Sequence, residues 1–508
     1  MEVHALKALQ APLRHRYDQF RCLQSMALVE PVGERMEVIL EVNAREKAAR
    51  LLRDLRPKTP FPGKERPAQT LAERMMQCAT PGVSIAAIDG FDVAWSYSFG
   101  KLAVGTIEEV TSGTPFQAGS VSKPVFALAV MKLIEAGILD LDADVNNYLK
   151  SWRVPENDGW QPRVTLRQLL SHTAGTTVHG FPGYPPEGPF PALSQILQGV
   201  PPSNTAPILV DILPGTQFRY SGGGTTIAQQ AVVDATGMPF ADLMRELILD
   251  PTGMKDSTFE QPLPPEKAAR AAKGHPWNGL PTQGGWHVYP EMAAAGLWTT
   301  ASDLACLGSQ IMQTFRGGKP ALGLKHETVM EMIRPQLPDQ KAGQDFSGLG
   351  WTCSGADEEL RMSHGGWDEG FVAQLTLFPA LGKGAAVMIN SNQGWPLLDE
   401  VISAIGREFD FPTSQRASLA KAMLPGADCS GLYTNQDGVA SEVTQSPEGL
   451  ALKFQQQAPI PLVPASNDEF FATVLNLRVN FQRSDTGLPT SMTVESGGKT
   501  INLTRKNE

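Results

Sequence analysis

Cysteine is scarce in this chain of 508 residues: Cys22, Cys78, Cys306, Cys353 and Cys429 stand singly, five in all. An odd number of isolated cysteines argues against a disulfide framework and against a cysteine-based zinc site, and leaves buried free thiols as the expectation. Long apolar runs are also missing, since no window approaches the ~20 residues of a membrane-spanning helix. The first residues, MEVHALKALQAPLRHRYDQF, interrupt their apolar positions with Glu2, His4, Lys7 and Arg14, so no signal peptide is read there and a cytoplasmic location is expected. Positive charge is in deficit: 43 Lys and Arg against 53 Asp and Glu give a net charge of -10. That balance gives no general attraction to nucleic acid or anionic lipid. Neither His-x-His-x-Asp nor His-Glu-x-x-His occurs, which disfavours a metallohydrolase, and no cofactor is implied. The run Gly222-Gly223-Gly224 lacks the following Lys-Ser or Lys-Thr of a phosphate loop.

What is present is the composition of a folded enzyme, 42% hydrophobic and 19% charged without internal repeats, on a chain long enough for more than one core. Residues 1–70 read as a helical extension and linker, with a helix-favouring stretch at Arg45 to Leu55 and a Pro-rich run from Pro57 to Pro67. Residues 71–412 read as the main domain. Two strands, PGVSIAAIDG and DVAWSYSFGKL, open it, and LRMSHGG, FVAQLTLFP and GAAVMINSN close it, with DEVISAIGREF as a final helix. Between them the pattern turns helical, most clearly in VFALAVMKLIEAG, where Gly137 is placed to end the helix. A sheet divided between the two ends of a domain, with an all-helical insertion, is an α+β architecture. Residues 418–508 change character to short β segments such as LALKFQ, EFFATV, RVNFQR, SMTVES and TINLTR, the expectation for a small antiparallel β-barrel.

Three places carry chemistry. FQAGSVSKPVFALAV puts Ser120 just before the strongest helix, with Pro124 in its first turn. Lys123, three residues on, faces the same side, where its nitrogen can reach the Ser120 hydroxyl and take its proton. PGTQFRYSGGG puts Tyr220 and Ser221 on a Gly-rich loop before another helix, where a phenol can relay a proton. LRMSHGGWDEGF ends a strand in His364-Gly365-Gly366, whose glycines allow close approach of a substrate backbone and whose following N–H can face a developing oxyanion. His287 and Tyr289, in GGWHVYPEM, are candidates to line the cleft, whereas His172 in LLSHTAG is read as fold-stabilising.

In this order the three resemble the serine β-lactamase and penicillin-binding-protein superfamily, in its class C-like branch of carboxylesterases, D-aminopeptidases and D,D-peptidases. VTLRQLLSHTAG, LILDPTGMKDSTF and AAAGLWTTASDLA support the resemblance, which spans roughly residues 70 to 410. It implies an α+β fold of that type, and the C-terminal unit is similar to the lipocalin-like barrel that often follows it. It also implies that Ser120 is acylated, that Lys123 is its base or the base's partner, that Tyr220 is the second proton relay, and that the oxyanion sits between the N–H groups of Ser120 and Trp367. In two places the chain departs from the family pattern. Gly222 stands where an asparagine amide would hold a substrate amide carbonyl, and His364 stands where the antibiotic-facing enzymes carry lysine. The expected function is a serine hydrolase, first a carboxylesterase on small esters, with a D-aminopeptidase or amidase or a β-lactamase-type peptidase as alternatives. A catalytically silent binding protein on the same fold is the alternative of another class. The expected partner is a small-molecule ester or amide, and a homo-oligomer is allowed.

Overall fold

Apolar runs from both ends of the main domain meet in one antiparallel sheet. The computed structural model describes residues 46–56, 68–338, 340 and 345–412, and beyond them 429–435, 440–446, 449–454, 460–464, 468–472, 477–484, 487–496 and 499–506. The expected Pro-rich linker at 57–67 and most of the N-terminal extension lie outside the described residues; within 46–56 a short helix covers 46–51. The main-domain strands are β1 (Gly82–Asp89), β2 (Asp92–Gly100), β3 (Phe116–Gln117), β4 (Trp298–Thr299), β5 (Phe346–Ser347), β6 (Thr352–Ser354), β7 (Arg361–Asp368), β8 (Phe371–Phe378) and β9 (Lys383–Ile389). Seven of them form the sheet β2-β1-β9-β8-β7-β6-β5, and β3 pairs separately with β4. The ends of the domain join where β1 pairs with β9, from Val83↔Ile389 to Ile88↔Gly384. On β7, burial alternates, as one face of a strand packed on a core requires: Met362, His364, Gly366 and Asp368 are buried, while Trp367 is exposed.

Helix α1 (Ser122–Glu135) is apolar nearly all round, so it buries itself as a core helix. It stops where Gly137, at φ 71°, takes the left-handed conformation beyond its end. Helix α2 (Leu166–Leu170) begins in a capping box in which Thr165 and Gln168 each satisfy the other's main-chain N–H. Helix α3 (Gly222–Thr236) is capped by Ser221, and α4 (Ala301–Phe315) by Thr300. α4 lies across β1 and β9, with Gly308 letting it close on Leu377 and Ile88. A helix at Trp395–Glu408 follows β9. No helix among the described residues is long and apolar enough to cross a membrane.

The C-terminal strands form an eight-stranded antiparallel barrel in sequence order: β10 (Gly431–Thr434), β11 (Ala440–Ser446), β12 (Gly449–Phe454), β13 (Ile460–Pro464), β14 (Glu469–Ala472), β15 (Leu477–Arg483), β16 (Pro489–Ser496) and β17 (Lys499–Arg505). It closes through Tyr433↔Arg505 and Thr434↔Thr504. Its interior is filled by side chains including Tyr433, Leu452, Phe470, Phe481 and Met492. Leu52–Arg74 and Trp395–Ala404 group with the barrel strands as one compact unit, and Met75–Gly394 forms the body of the other. Within the barrel's unit Arg74 and Glu400 make a buried two-pronged ion pair, at 2.6 and 2.7 Å.

Candidate active site

Ser120 sits in a single tight turn, Gly119–Val121, that leads directly into α1. Gly119 has φ 50°, and a side chain there would run into the Trp367 main chain, with a Cβ only 2.5 Å from its nitrogen. Glycine at 119 therefore lets the serine turn lie flat against the end of β7. Gly366 serves the same contact from the other side, because a Cβ there would stand 1.9 Å from the Ala118 carbonyl oxygen. The need for glycine at 366 comes from the protein's own chain, where the sequence had pointed to substrate. Gly365 faces the other side of the strand. Beyond Ser363, β7 has no ladder partner on the β6 side among the described residues, so the segment from His364 to Trp367 runs along an open edge beside Ser120.

The Lys123 nitrogen donates to Ser120 Oγ at 2.8 Å and to the Ala294 carbonyl at 2.8 Å. Lys123 is buried, and the three-residue spacing delivers the contact its sequence suggested. Tyr220 places its ring 5.0 Å from the Lys123 nitrogen. Tyr220 also lies among three imidazoles: centroids are 4.3 Å to His172, 4.9 Å to His179 and 6.1 Å to His364. Burial, reinforced by nearby Lys123, pushes His364 down to about 3, and its Nδ1 lies 2.7 Å from the Gly365 carbonyl. His364 is therefore a neutral group at pH 7, without even the partial charge expected of a histidine in solution.

Four residues that the sequence marks as candidates to line the site are each held by packing or hydrogen bonds within the protein. Ser221 is fully buried; its hydroxyl caps α3 and donates to the Thr177 carbonyl at 2.6 Å. Gly222 is buried at the start of α3, where a Cβ would press on Phe181 at 3.0 Å and on the His179 carbonyl at 3.2 Å. Gly223 and Gly224 likewise meet Thr177 and Thr176, so the glycine run exists to seat a helix start on the 176–181 loop. Tyr289 is 1% exposed, and its hydroxyl accepts the Glu369 N–H at 3.0 Å. The half-buried His287 directs its ring to the Pro182 carbonyl at 2.9 Å, while its own carbonyl accepts from Gln117.

Asn392 and Glu291, near the site, were not read from the sequence. Asn392 is fully buried, and its Oδ1 accepts from the Trp367 indole at 3.0 Å and from the Gly370 N–H at 2.9 Å, tying down the turn that ends β7. The only hint in sequence is the polar triplet Asn390-Ser391-Asn392 directly after an apolar strand. Asp368 and Glu291 are buried, with no carboxyl oxygen in a normal hydrogen bond among the described residues. Burial holds Asp368 well above the usual carboxylate range, and pushes Glu291 up to about 8. Between its ordinary value of 4.5 and about 8, folded Glu291 keeps a proton that the unfolded chain releases, so it lowers stability as pH rises through that window. Glu291→Gln is expected to gain stability relative to the native chain by on the order of 3 kcal/mol between pH 5 and pH 8. Urea unfolding of both proteins at the two pH values measures this, and an unchanged difference would show that Glu291 is not held neutral.

A buried lysine bonded to a serine at the mouth of a core helix, beside the free edge of an antiparallel sheet, is a serine-hydrolase arrangement on an α+β frame. The chain belongs to the Beta-lactamase family, which it matches over residues 68–403 and whose members are generally serine hydrolases. It is 23% identical over 459 residues to Penicillin-binding protein 4* of Bacillus subtilis (strain 168), covering 86% of this chain and 98% of that one. With Esterase EstB of Burkholderia gladioli the identity is 33% over 172 residues, 32% of this chain and 43% of that protein. The octameric penicillin-binding protein homologue from Pyrococcus abyssi shares the fold with a TM-score of 0.56 at 20% identity, covering 85% of this chain and 98% of that one.

Proposed function

We propose that the protein is a carboxylesterase for small neutral esters, working through an acyl-enzyme on Ser120. The observation that carries this reading is the 2.8 Å contact between the Lys123 nitrogen and Ser120 Oγ. In the proposed cycle Ser120 Oγ attacks the ester carbonyl, and its proton passes to Lys123, alone or with Tyr220. The developing oxyanion lies between the Ser120 and Trp367 N–H groups, which the Gly119 and Gly366 contacts hold side by side. The tetrahedral intermediate expels the alcohol, which takes up the proton, and water repeats the attack on the acyl-serine to release the acid. Neutral esters are favoured because the site offers no cation at 364 and no side-chain amide at 222. For the D-aminopeptidase alternative, a substrate amine could be received by Asp368 or Glu369; Asp368 is 1% exposed, which leaves the half-buried Glu369 as the carboxylate for that role. The up-and-down order of the eight C-terminal strands supports reading residues 418–508 as a lipocalin-like module.

Covalent labelling tests the reading. A fluorophosphonate is expected to add one adduct per chain, on the peptide that carries Ser120, and preincubation with p-nitrophenyl butyrate should slow the labelling. An unlabelled Ser120 in folded protein would favour the silent binding protein.

A further inference from the structure

We infer that His172 is a positioning residue for Tyr220: its ring and its Nδ1 together fix where the phenol stands beside Lys123. The inference rests on the proposed Ser120 mechanism and assigns to His172 more than the fold-stabilising role its sequence context suggests. The first observation is conformational. Helix α2 ends at Leu170, and His172, two residues on, has φ 58° in the left-handed region. Glycine or asparagine is the usual residue at such a helix end, and a histidine there carries strain that its side chain must offset.

The second observation is where that side chain goes. His172 is buried, and the segment Phe218–Ser221 is attached to it at every residue. Phe218 meets the ring edge-on at 6.0 Å, and the Arg219 N–H donates to the His172 carbonyl at 2.8 Å. Tyr220 packs its ring on the imidazole at 4.3 Å, and the Ser221 N–H donates to Nδ1 at 3.2 Å. Because Nδ1 accepts, the neutral ring carries its hydrogen on Nε2. Burial, followed by Lys123, His364 and His179, holds the imidazole well below its ordinary range, which keeps that acceptor available. One side chain thus grips the main chain on one side of Tyr220 and the ring itself, while its own carbonyl grips the other side. A proton relay must hold its oxygen to within a fraction of an ångström, and a misplacement of about 1 Å costs on the order of 10²-fold in rate.

The test uses substitutions that suit the backbone. His172→Gly relaxes the left-handed conformation but removes both contacts, so a purely fold-stabilising role predicts lowered stability with unchanged kcat in the folded protein. The positioning role predicts retained folding with kcat on p-nitrophenyl butyrate lowered about 10- to 100-fold and KM nearly unchanged. His172→Asn tolerates the same φ and places an acceptor near the Nδ1 position, so it should recover part of the loss. In a Tyr220→Phe background the His172→Gly loss should largely vanish, because the group being positioned is already gone. Unchanged kcat in His172→Gly, or full additivity with Tyr220→Phe, would overturn the inference. Fluorophosphonate labelling of Ser120 in the same variants separates this outcome from failure of the parent mechanism, which would show as absent labelling in the unsubstituted chain.

Discussion

Ser120→Ala is expected to lower kcat/KM for p-nitrophenyl butyrate by at least about 10⁴-fold, with thermal unfolding left where it was. In the proposed mechanism the hydroxyl forms the acyl-enzyme bond, so its loss removes the reaction path itself. It contributes little packing, because Ser120 is only half-buried and its side chain's partner is Lys123. Lys123→Met should be nearly as damaging to turnover, and it carries a structural cost as well. Lys123 is 4% exposed, and its removal leaves the Ala294 carbonyl without its donor, a loss of about 1–3 kcal/mol. The two variants therefore separate along different axes, one losing only activity and the other losing activity and some stability. Steady-state kinetics and thermal unfolding on the same preparations read both. A Ser120→Ala protein retaining more than about 1% of the native kcat/KM would remove the nucleophile from the scheme.

The parts of this site that were legible in the sequence are those built from neighbours in the chain. Ser120 and Lys123 are three residues apart at a helix start, and helix geometry alone brings their side chains together. The sheet was legible for a similar reason, since β1, β2, β7, β8 and β9 each carry their own period and punctuation. Other strands escaped: β13 contains Pro461 and Pro464, and β11 reads ASEVTQS, so neither carries a strong strand signal. Contacts between distant segments were illegible. Nothing near Gly222 announces that Phe181 fills the space a side chain would take, and nothing near Asp368 announces its burial. The segment around Tyr289 looks like an exposed, Gly-rich loop, yet the tyrosine turns inward to meet the Glu369 N–H. The motif around His172 speaks only of the fold, while its φ and its hold on Phe218–Ser221 exist only in three dimensions.

Substrate preference is expected to run from p-nitrophenyl butyrate, through D-alanine p-nitroanilide, to nitrocefin with the lowest kcat/KM. A β-lactam or a D-Ala-D-Ala terminus presents a carboxylate and an acylamino carbonyl, and a site that grips both does so with a cation and an amide donor. Each charge-assisted or buried bond of that kind is worth roughly 1.5–3 kcal/mol. Here His364 is held down to about 3 by burial and by Lys123, so it stays uncharged across the working pH range. At 222 a side chain would press on Phe181, so the missing amide is enforced by packing on the 176–181 loop. Two absent anchors together forgo about 3–6 kcal/mol for such substrates, a factor of roughly 10² to 10⁴. An activated butyrate ester asks for neither anchor. Its phenolate leaves without prior protonation, so in the proposed mechanism Ser120, Lys123 and the two main-chain N–H groups suffice for acylation. The anilide is intermediate: it has no carboxylate to anchor, but its amine must be protonated on leaving, a step that the proposed mechanism assigns to Tyr220. Tyr220→Phe should therefore cost the anilide more than the butyrate. Measuring kcat/KM for the three substrates in native protein and in Tyr220→Phe decides the assignment, and a value for nitrocefin above that for the butyrate would refute the roles given to His364 and Gly222.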